Sequence, residues 1–166
     1  MLKHLGDIWR ETAFANAVKD IFCNTFGVSR EFVEKWKRID EPPPNFLMSV
    51  RKCLQFIGMG FRSIRQNVWI DLALKEKSVI TDGRFLNEAK AVAQKGGINI
   101  LVWRPGFEND DPNPSEAELL PYVKTCLENN WNGWLDHFHD FHYFLRNDGN
   151  LEDLEKKIVK ILEKNA

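Results

Sequence analysis

The chain has 166 residues, 43% hydrophobic and 28% charged, which is enough apolar material for a folded core and too much for a disordered polymer. Its 23 Lys and Arg against 24 Asp and Glu leave a formal charge of −1, which excludes a protein that coats DNA or RNA through a basic surplus. No run of about 18 apolar residues is present, so no membrane span is expected, and Met1-Leu2-Lys3-His4 leads into charged sequence rather than a signal core.

Residues 1–10 are short and ambiguous. Thr12-Ala13-Phe14-Ala15 reads as a short buried strand, and Asn16 as the cap of a helix in which Val18, Ile21, Phe22 and Phe26 recur at helical spacing. Gly27 ends that helix. Ser29 caps the next, with Phe32, Val33 and Trp36 on one side, and Pro42-Pro43-Pro44 makes a stiff extended connector. Residues 46–75 read as mainly helical. Leu47, Val50, Leu54, Ile57 and Phe61 form one stripe, Gly58 and Gly60 are expected to break the run, and a second helix carries Ile64, Val68 and Leu72. Arg51, Lys52, Gln55, Arg62 and Arg65 fall on the polar side.

The period changes at Ser78. Ser78-Val79-Ile80-Thr81-Asp82 reads as a strand, 86–95 as a helix closed by Gly96-Gly97, and 98–103 as a second strand. Strand, helix and strand suggest a right-handed βαβ unit with its two strands parallel. A third strand is expected at Tyr143-Phe144-Leu145. Asn150 caps a last helix, along which Leu151, Leu154, Ile158, Ile161 and Leu162 line up. The expected fold is α/β, a small parallel sheet flanked by helices. It is expected to form a single domain over 1–166, with the helical segment 16–75 inserted between the first strand and the βαβ core 78–103, and a C-terminal strand and helix at 141–164.

Open parallel sheets bind ligands beyond the carboxyl ends of their strands. After the first strand comes Asp82-Gly83-Arg84, in which Asp82 suits a metal or a positive group and Arg84 a phosphate or carboxylate. After the second comes Arg104-Pro105-Gly106, then a loop rich in Asp, Asn and Pro, then Pro114-Ser115-Glu116. After the third comes Arg146-Asn147-Asp148-Gly149. One such Arg is most often a surface residue paired with an acid, but Arg84 and Arg104 at two strand ends favour an anion site. The face of Arg51, Lys52 and Gln55 carries less weight, because a solvated helix face gives the same pattern.

His137, His139 and His142 with Asp136 and Asp140 invite a metal reading, H-x-H putting two imidazoles on one side of a strand. No complete ligand set is specified, and a polar edge on the cluster of Trp131, Trp134, Phe138, Phe141 and Phe144 explains the same residues. Twelve Phe and six Trp are a heavy load, and the 131–144 region suits a core or a homo-oligomer interface. Cys23, Cys53 and Cys126 are widely spaced and read as reduced thiols of a cytoplasmic protein. Neither G-x-S-x-G nor G-x-G-x-x-G occurs.

The segment Val79-Ile80-Thr81-Asp82-Gly83-Arg84-Phe85-Leu86-Asn87-Glu88-Ala89 resembles the I-[ST]-D-x-R-F-x-N-E-A segment of bacteriophage deoxynucleoside monophosphate kinases. Gly96-Gly97, Arg104-Pro105, Ser115-Glu116 and Asn147-Asp148-Gly149-Asn150-Leu151 continue the likeness in order. Upstream, Phe14-Ala15-Asn16-Ala17-Val18-Lys19 is similar to F-A-D-P-L-K, and Arg51-Lys52-Cys53-Leu54-Gln55-Phe56-Ile57-Gly58 to R-K-x-L-Q-x-x-G. The chain departs from the pattern at Asn16-Ala17, at Met59-Gly60, at Arg62, which falls about one place early, and at Asn113-Pro114.

The resemblance implies a P-loop kinase fold, ATP and magnesium as co-reactants, and a ligand site drawn from Arg51, Lys52, Gln55, Arg62, Asp82, Arg84, Asn87, Glu88, Arg104, Ser115 and Glu116. Members of that family begin with a strand and G-x-x-x-x-G-K-[ST], and the 166 residues contain no such motif. Its backbone amides and Lys hold the donor phosphates, so most of what phosphoryl transfer needs is missing from this sequence. Three readings follow: a nucleotide-binding protein without transfer activity, which could serve a phage by sequestering a host-defence nucleotide signal; a working kinase that borrows its P-loop; and an interaction protein with a vestigial site. The first is preferred. It needs no certain cofactor, ATP and magnesium entering only with the second, and no metal or catalytic residue is assigned.

Overall fold

A computed structural model describes residues 10–74, 78–106 and 114–165, with the backbone but not the side chains of 115, 116, 136 and 137. In chain order the elements are β1 (Arg10–Thr12), α1 (Ala15–Phe26), α2 (Arg30–Trp36), α3 (Val50–Ile64), α4 (Val68–Ala73), β2 (Ser78–Ile80), α5 (Leu86–Gln94), β3 (Ile100–Trp103), α6 (Pro114–Ala117), α7 (Leu120–Glu128), β4 (Gly133–Phe138), β5 (Phe141–Arg146) and α8 (Leu151–Lys164). The fold is α/β, small sheets flanked by helices. The chain divides into two compact units, Thr12–Asp82 and the residues from Gly83 onward together with those up to Glu11.

The first unit is largely helical. Phe22, Val33 and Val50 are fully buried at its centre, with Trp36, Phe46, Leu54 and Ile57 packed round them. The Phe22 and Phe46 rings stack at 5.7 Å, and Pro43 of the proline run is buried in full. Each such side chain contributes about 1.5–3 kcal/mol through burial. Gly27 takes a left-handed φ of 64° to end α1, with its N–H donating to Cys23 O, and the Ser29 side chain accepts from Phe32 N to cap α2.

Several sequence expectations change here. Thr12-Ala13-Phe14-Ala15 is not a strand, since β1 ends at Thr12, and Asn16 lies inside α1 rather than capping it. The first amides of α1 are taken by a carboxylate 68 residues away, described below. Gly58 and Gly60 do not interrupt α3, which runs on to Ile64 and stops where Arg65 turns extended at φ −146°. Two helical glycines cost about 1 kcal/mol each. Burial of Val50, Leu54 and Ile57 against Phe22 offsets that, and Trp69 Nε1 donates to Gly58 O at 3.0 Å. Leu47 precedes the helix and is 99% exposed, because Ser49 supplies the cap, accepting from Lys52 N. Ile64 and Leu72 are exposed as well, and α4 buries Trp69 and Ile70 instead.

The second unit is built on a three-stranded sheet of order β3-β5-β4. β3 and β5 are parallel, in the register Leu101↔Phe144 and Trp103↔Arg146, and β4 lies antiparallel to β5. On one face Leu101 and Phe144 pack with Ala89 of α5 and Cys126 of α7. On the other, Tyr143 and Leu145 pack with Ile158 and Ile161 of α8. Asn150 caps α8, accepting from Asp153 N at 2.9 Å, but Leu151 is exposed and leaves the apolar stripe.

The pairing differs from the expected βαβ unit. β2 bonds to β1, not to β3, and the parallel neighbour of β3 is β5. Alternation identifies which residues are extended but not which strand receives their bonds. The third strand is also longer than expected, and β4 was not anticipated, because its polar and aromatic residues read as a cluster without a period. His139 has φ 54° and lies in the β4–β5 turn rather than on a strand, so H-x-H does not place two imidazoles on one strand face. Of the ambiguous stretch 1–10, Arg10 opens β1 and the rest lies outside the described residues.

Two stability predictions follow from this packing. Lys19 and Lys37 bond the Glu34 carboxylate at 2.7 and 2.5 Å and hold it well below the usual range, at about 2. A depressed folded pKa adds stability above the unfolded value and loses it as pH falls. Glu34→Gln should therefore lower the melting temperature at pH 7 and converge on the parent by pH 2, by about 1 kcal/mol or less because Glu34 is partly exposed. Burial pushes the Cys126 thiol up to about 11, so iodoacetamide at pH 8 should label Cys126 only after unfolding, as read by peptide mass spectrometry.

Candidate functional site

The segment from Val79 to Ala89 is a strand, a loop and the start of a helix, and its two acids shape it from within. The Asp82 carboxylate leaves β2 and reaches the start of α1. Phe14 N donates to Oδ1 at 2.7 Å and Ala15 N to Oδ2 at 2.8 Å. A negative group there satisfies two amides that no helical carbonyl can reach and faces the positive end of the helix dipole. Arg30 then binds the O and Oδ1 atoms of Asn16 at 3.2 Å each. Asn16 thus holds α2 against α1, a role different from the cap expected of it.

At the start of α5 a second carboxylate does similar work. Glu88 is 2% exposed and accepts from Arg84 N at 2.8 Å and Phe85 N at 3.1 Å. Glu118, between α6 and α7, accepts from Leu86 N at 2.7 Å. Three consecutive amides therefore donate to two carboxylates of the chain itself. That is where many α/β proteins hold a phosphate, and here those donors are already used. The other anion donors expected here are the guanidinium side chains of Arg84 and Arg104.

Those side chains lie at one end of the unit. α5 turns at Gly96, φ 74°, and β3 runs back along it, with Leu86 and Ala89 packed in the cluster that holds Leu101 and Trp103. Arg84 before α5 and Arg104 after β3 therefore share an end, and both are exposed. Each also makes interactions within the protein. The adjoining end of β5 carries Arg146, the register partner of Trp103, and Asn147 N donates to Trp103 O at 2.7 Å. Arg146 Nε is closed to solvent and has no acceptor among the described residues. Lys157 of α8 donates to Arg146 O at 2.6 Å and Asp148 Oδ1 at 2.9 Å, which holds the Asp148 carboxyl below its ordinary range.

The remaining candidates are spread out. Asn87 is half-buried on α5, and Ser115 and Glu116 lie on α6, their side chains outside the description. In the helical unit Arg51 and Lys52 are exposed on α3, while Gln55 is half-buried, its Nε2 enclosed and without an acceptor among the described residues. Arg62 donates to Gln66 O at 3.4 Å. His142 Nδ1 accepts from Asn99 N at 3.2 Å, and no group of three metal-ligating side chains occurs among the described residues. The aromatic region divides: Phe141 and Phe144 are core, whereas Trp131 and Trp134 are 37% and 51% exposed. No helix among the described residues is long and apolar enough to cross a membrane. Glu118 and Lys157 were not among the sequence candidates, and an isolated acid or Lys on a helical stretch carries no signal of its own.

A protein of Acanthamoeba polyphaga mimivirus that carries the provisional description of deoxynucleotide monophosphate kinase is 32% identical over 141 residues, covering 72% of this chain and 72% of the relative. No family model matches the chain, and no solved structure matches it.

Losing the Asp82 clamp should loosen the start of α1. Asp82→Ala is expected to lower unfolding stability by about 1–2 kcal/mol, the range for lost helix caps. Asp82→Asn, which retains one acceptor oxygen, should lose less, as measured by urea titration.

Proposed function

The chain belongs to the deoxynucleotide monophosphate kinase family, and from that premise we propose that these 166 residues bind a nucleotide, in the first place a deoxynucleoside monophosphate, without themselves transferring a phosphoryl group. Arg84 and Arg104 hold its phosphate, as a pair of guanidinium forks suited to a dianion. The observation that carries this reading is the start of α5, where Glu88 and Glu118 take the amides and leave side chains as the anion donors. Asp82, Asn87, Glu88, Ser115 and Glu116 are the further ligand-binding candidates of this stretch. Arg51, Lys52, Gln55 and Arg62 form a separate set of ligand-binding candidates on the helical unit.

The absence of transfer rests on chemistry. Phosphoryl transfer is mostly positioning and charge neutralisation of the donor phosphates, and no G-x-x-x-x-G-K-[ST] occurs in these residues to provide it. Removing one such electrostatic contributor typically costs several kcal/mol of barrier lowering. Binding alone would have value in withholding a nucleotide signal used in host defence. A second reading, a working kinase using ATP and magnesium, is favoured by the relative's description and requires a donor-phosphate clamp from another polypeptide. The exposed Trp131 and Trp134 are the surface through which copies of the chain would associate.

Titration calorimetry with dAMP, dCMP, dGMP and dTMP, then cyclic nucleotides and ADP-ribose, tests the proposal. At least one should give heat, and Arg84→Ala or Arg104→Ala should each weaken that binding tenfold or more, the scale of a charge-assisted bond at about 1.5–3 kcal/mol. Silence across the panel overturns the binding reading. ADP release from ATP by the chain alone, with any deoxynucleoside monophosphate, overturns the absence of transfer.

A further inference from the structure

We infer that Glu118 is a positioning residue for the phosphate-binding Arg84, an inference that rests on the nucleotide-binding reading above. Arg84, Phe85 and Leu86 are consecutive, and their amides set the path by which the chain enters α5. Glu88 holds the first two of these amides from inside the same helix, and being 2% exposed it is a fixed part of the core. Glu118 holds the third from a segment 32 residues further on, at 2.7 Å. Through Glu118 the loop that carries Arg84 is tied to the α6–α7 junction as well as to its own helix.

The acid has a second, electrostatic consequence. Two carboxylates stand on three adjacent amides beside an anion site, and each repels a phosphate dianion as it orients the cation that binds one. Orientation needs only an acceptor oxygen, whereas repulsion needs the charge. Gln in place of Glu118 keeps the first and removes the second, so the two contributions separate. A purely structural carboxylate would show no such split in ligand affinity.

The experiment is titration of the 166-residue chain and its variants with the deoxynucleoside monophosphate that binds the parent best, alongside thermal unfolding. Glu118→Ala should weaken binding about tenfold, the scale at which loss of a hydrogen bond to a charged acceptor is felt, while Glu118→Gln should bind at least as tightly as the parent. Ser29→Ala, which removes the cap of α2 in the other unit, sets the control: it lowers the melting temperature and leaves affinity unchanged. Parent-like binding by Glu118→Ala, or an equal loss in Glu118→Gln, overturns the inference and leaves the binding reading standing. Silence of the parent with all four monophosphates overturns both.

Discussion

The carboxylate of Asp82 accepts from the amides of Phe14 and Ala15, and the start of α1 in the helical unit depends on that pair of bonds. It closes a loop of some seventy residues by joining the end of β2 to the beginning of α1. Once α1 begins there, Val18 and Phe22 face inward, Asn16 is placed to receive Arg30, and Phe22 meets Val33 and Val50. The same carboxylate lies two residues before Arg84.

The start of α5 repeats the device with different partners. Positive helix ends attract anions, and a parallel-sheet protein with an open helix start would offer it to a phosphate. Here Glu88 and Glu118 fill that position. The trade is rigidity against affinity: the loop is fixed, and in the proposed site anion binding falls to guanidinium groups, whose reach and geometry differ from those of backbone amides.

Membership of the deoxynucleotide monophosphate kinase family and the lack of a Walker-type motif in these residues point in different directions only if phosphoryl transfer is taken as the single use of the fold. Binding a monophosphate and positioning a donor are separable physical tasks, served by different segments. The segments that resemble the family are present in order, Arg104 follows the end of β3, and the parallel β5 ends in Arg146. Binding without transfer is a coherent use of that half.

Much of the fold was legible in the sequence. Local signals sufficed for Gly27 as a helix stop, for Ser29 and Asn150 as caps, for α5 and for β3, because each depends on residues within one or two turns. The anion-site candidates Arg84 and Arg104 were legible for the same kind of reason, as residues that follow a strand. What the sequence could not reveal were partnerships across distance. Asn16 looks like a cap until Asp82 arrives from 66 residues downstream, Gly58 and Gly60 look like breaks until packing on Phe22 outweighs their propensity, and β2 looks like a neighbour of β3 until β5 takes that place. Glu118 belongs to the same class, since nothing around it in the chain announces the amide of Leu86. Short-range preferences of about 1 kcal/mol decide where elements begin and end. Burial and paired charge, summed over residues far apart in the chain, decide which elements meet and which side chains become available for a ligand.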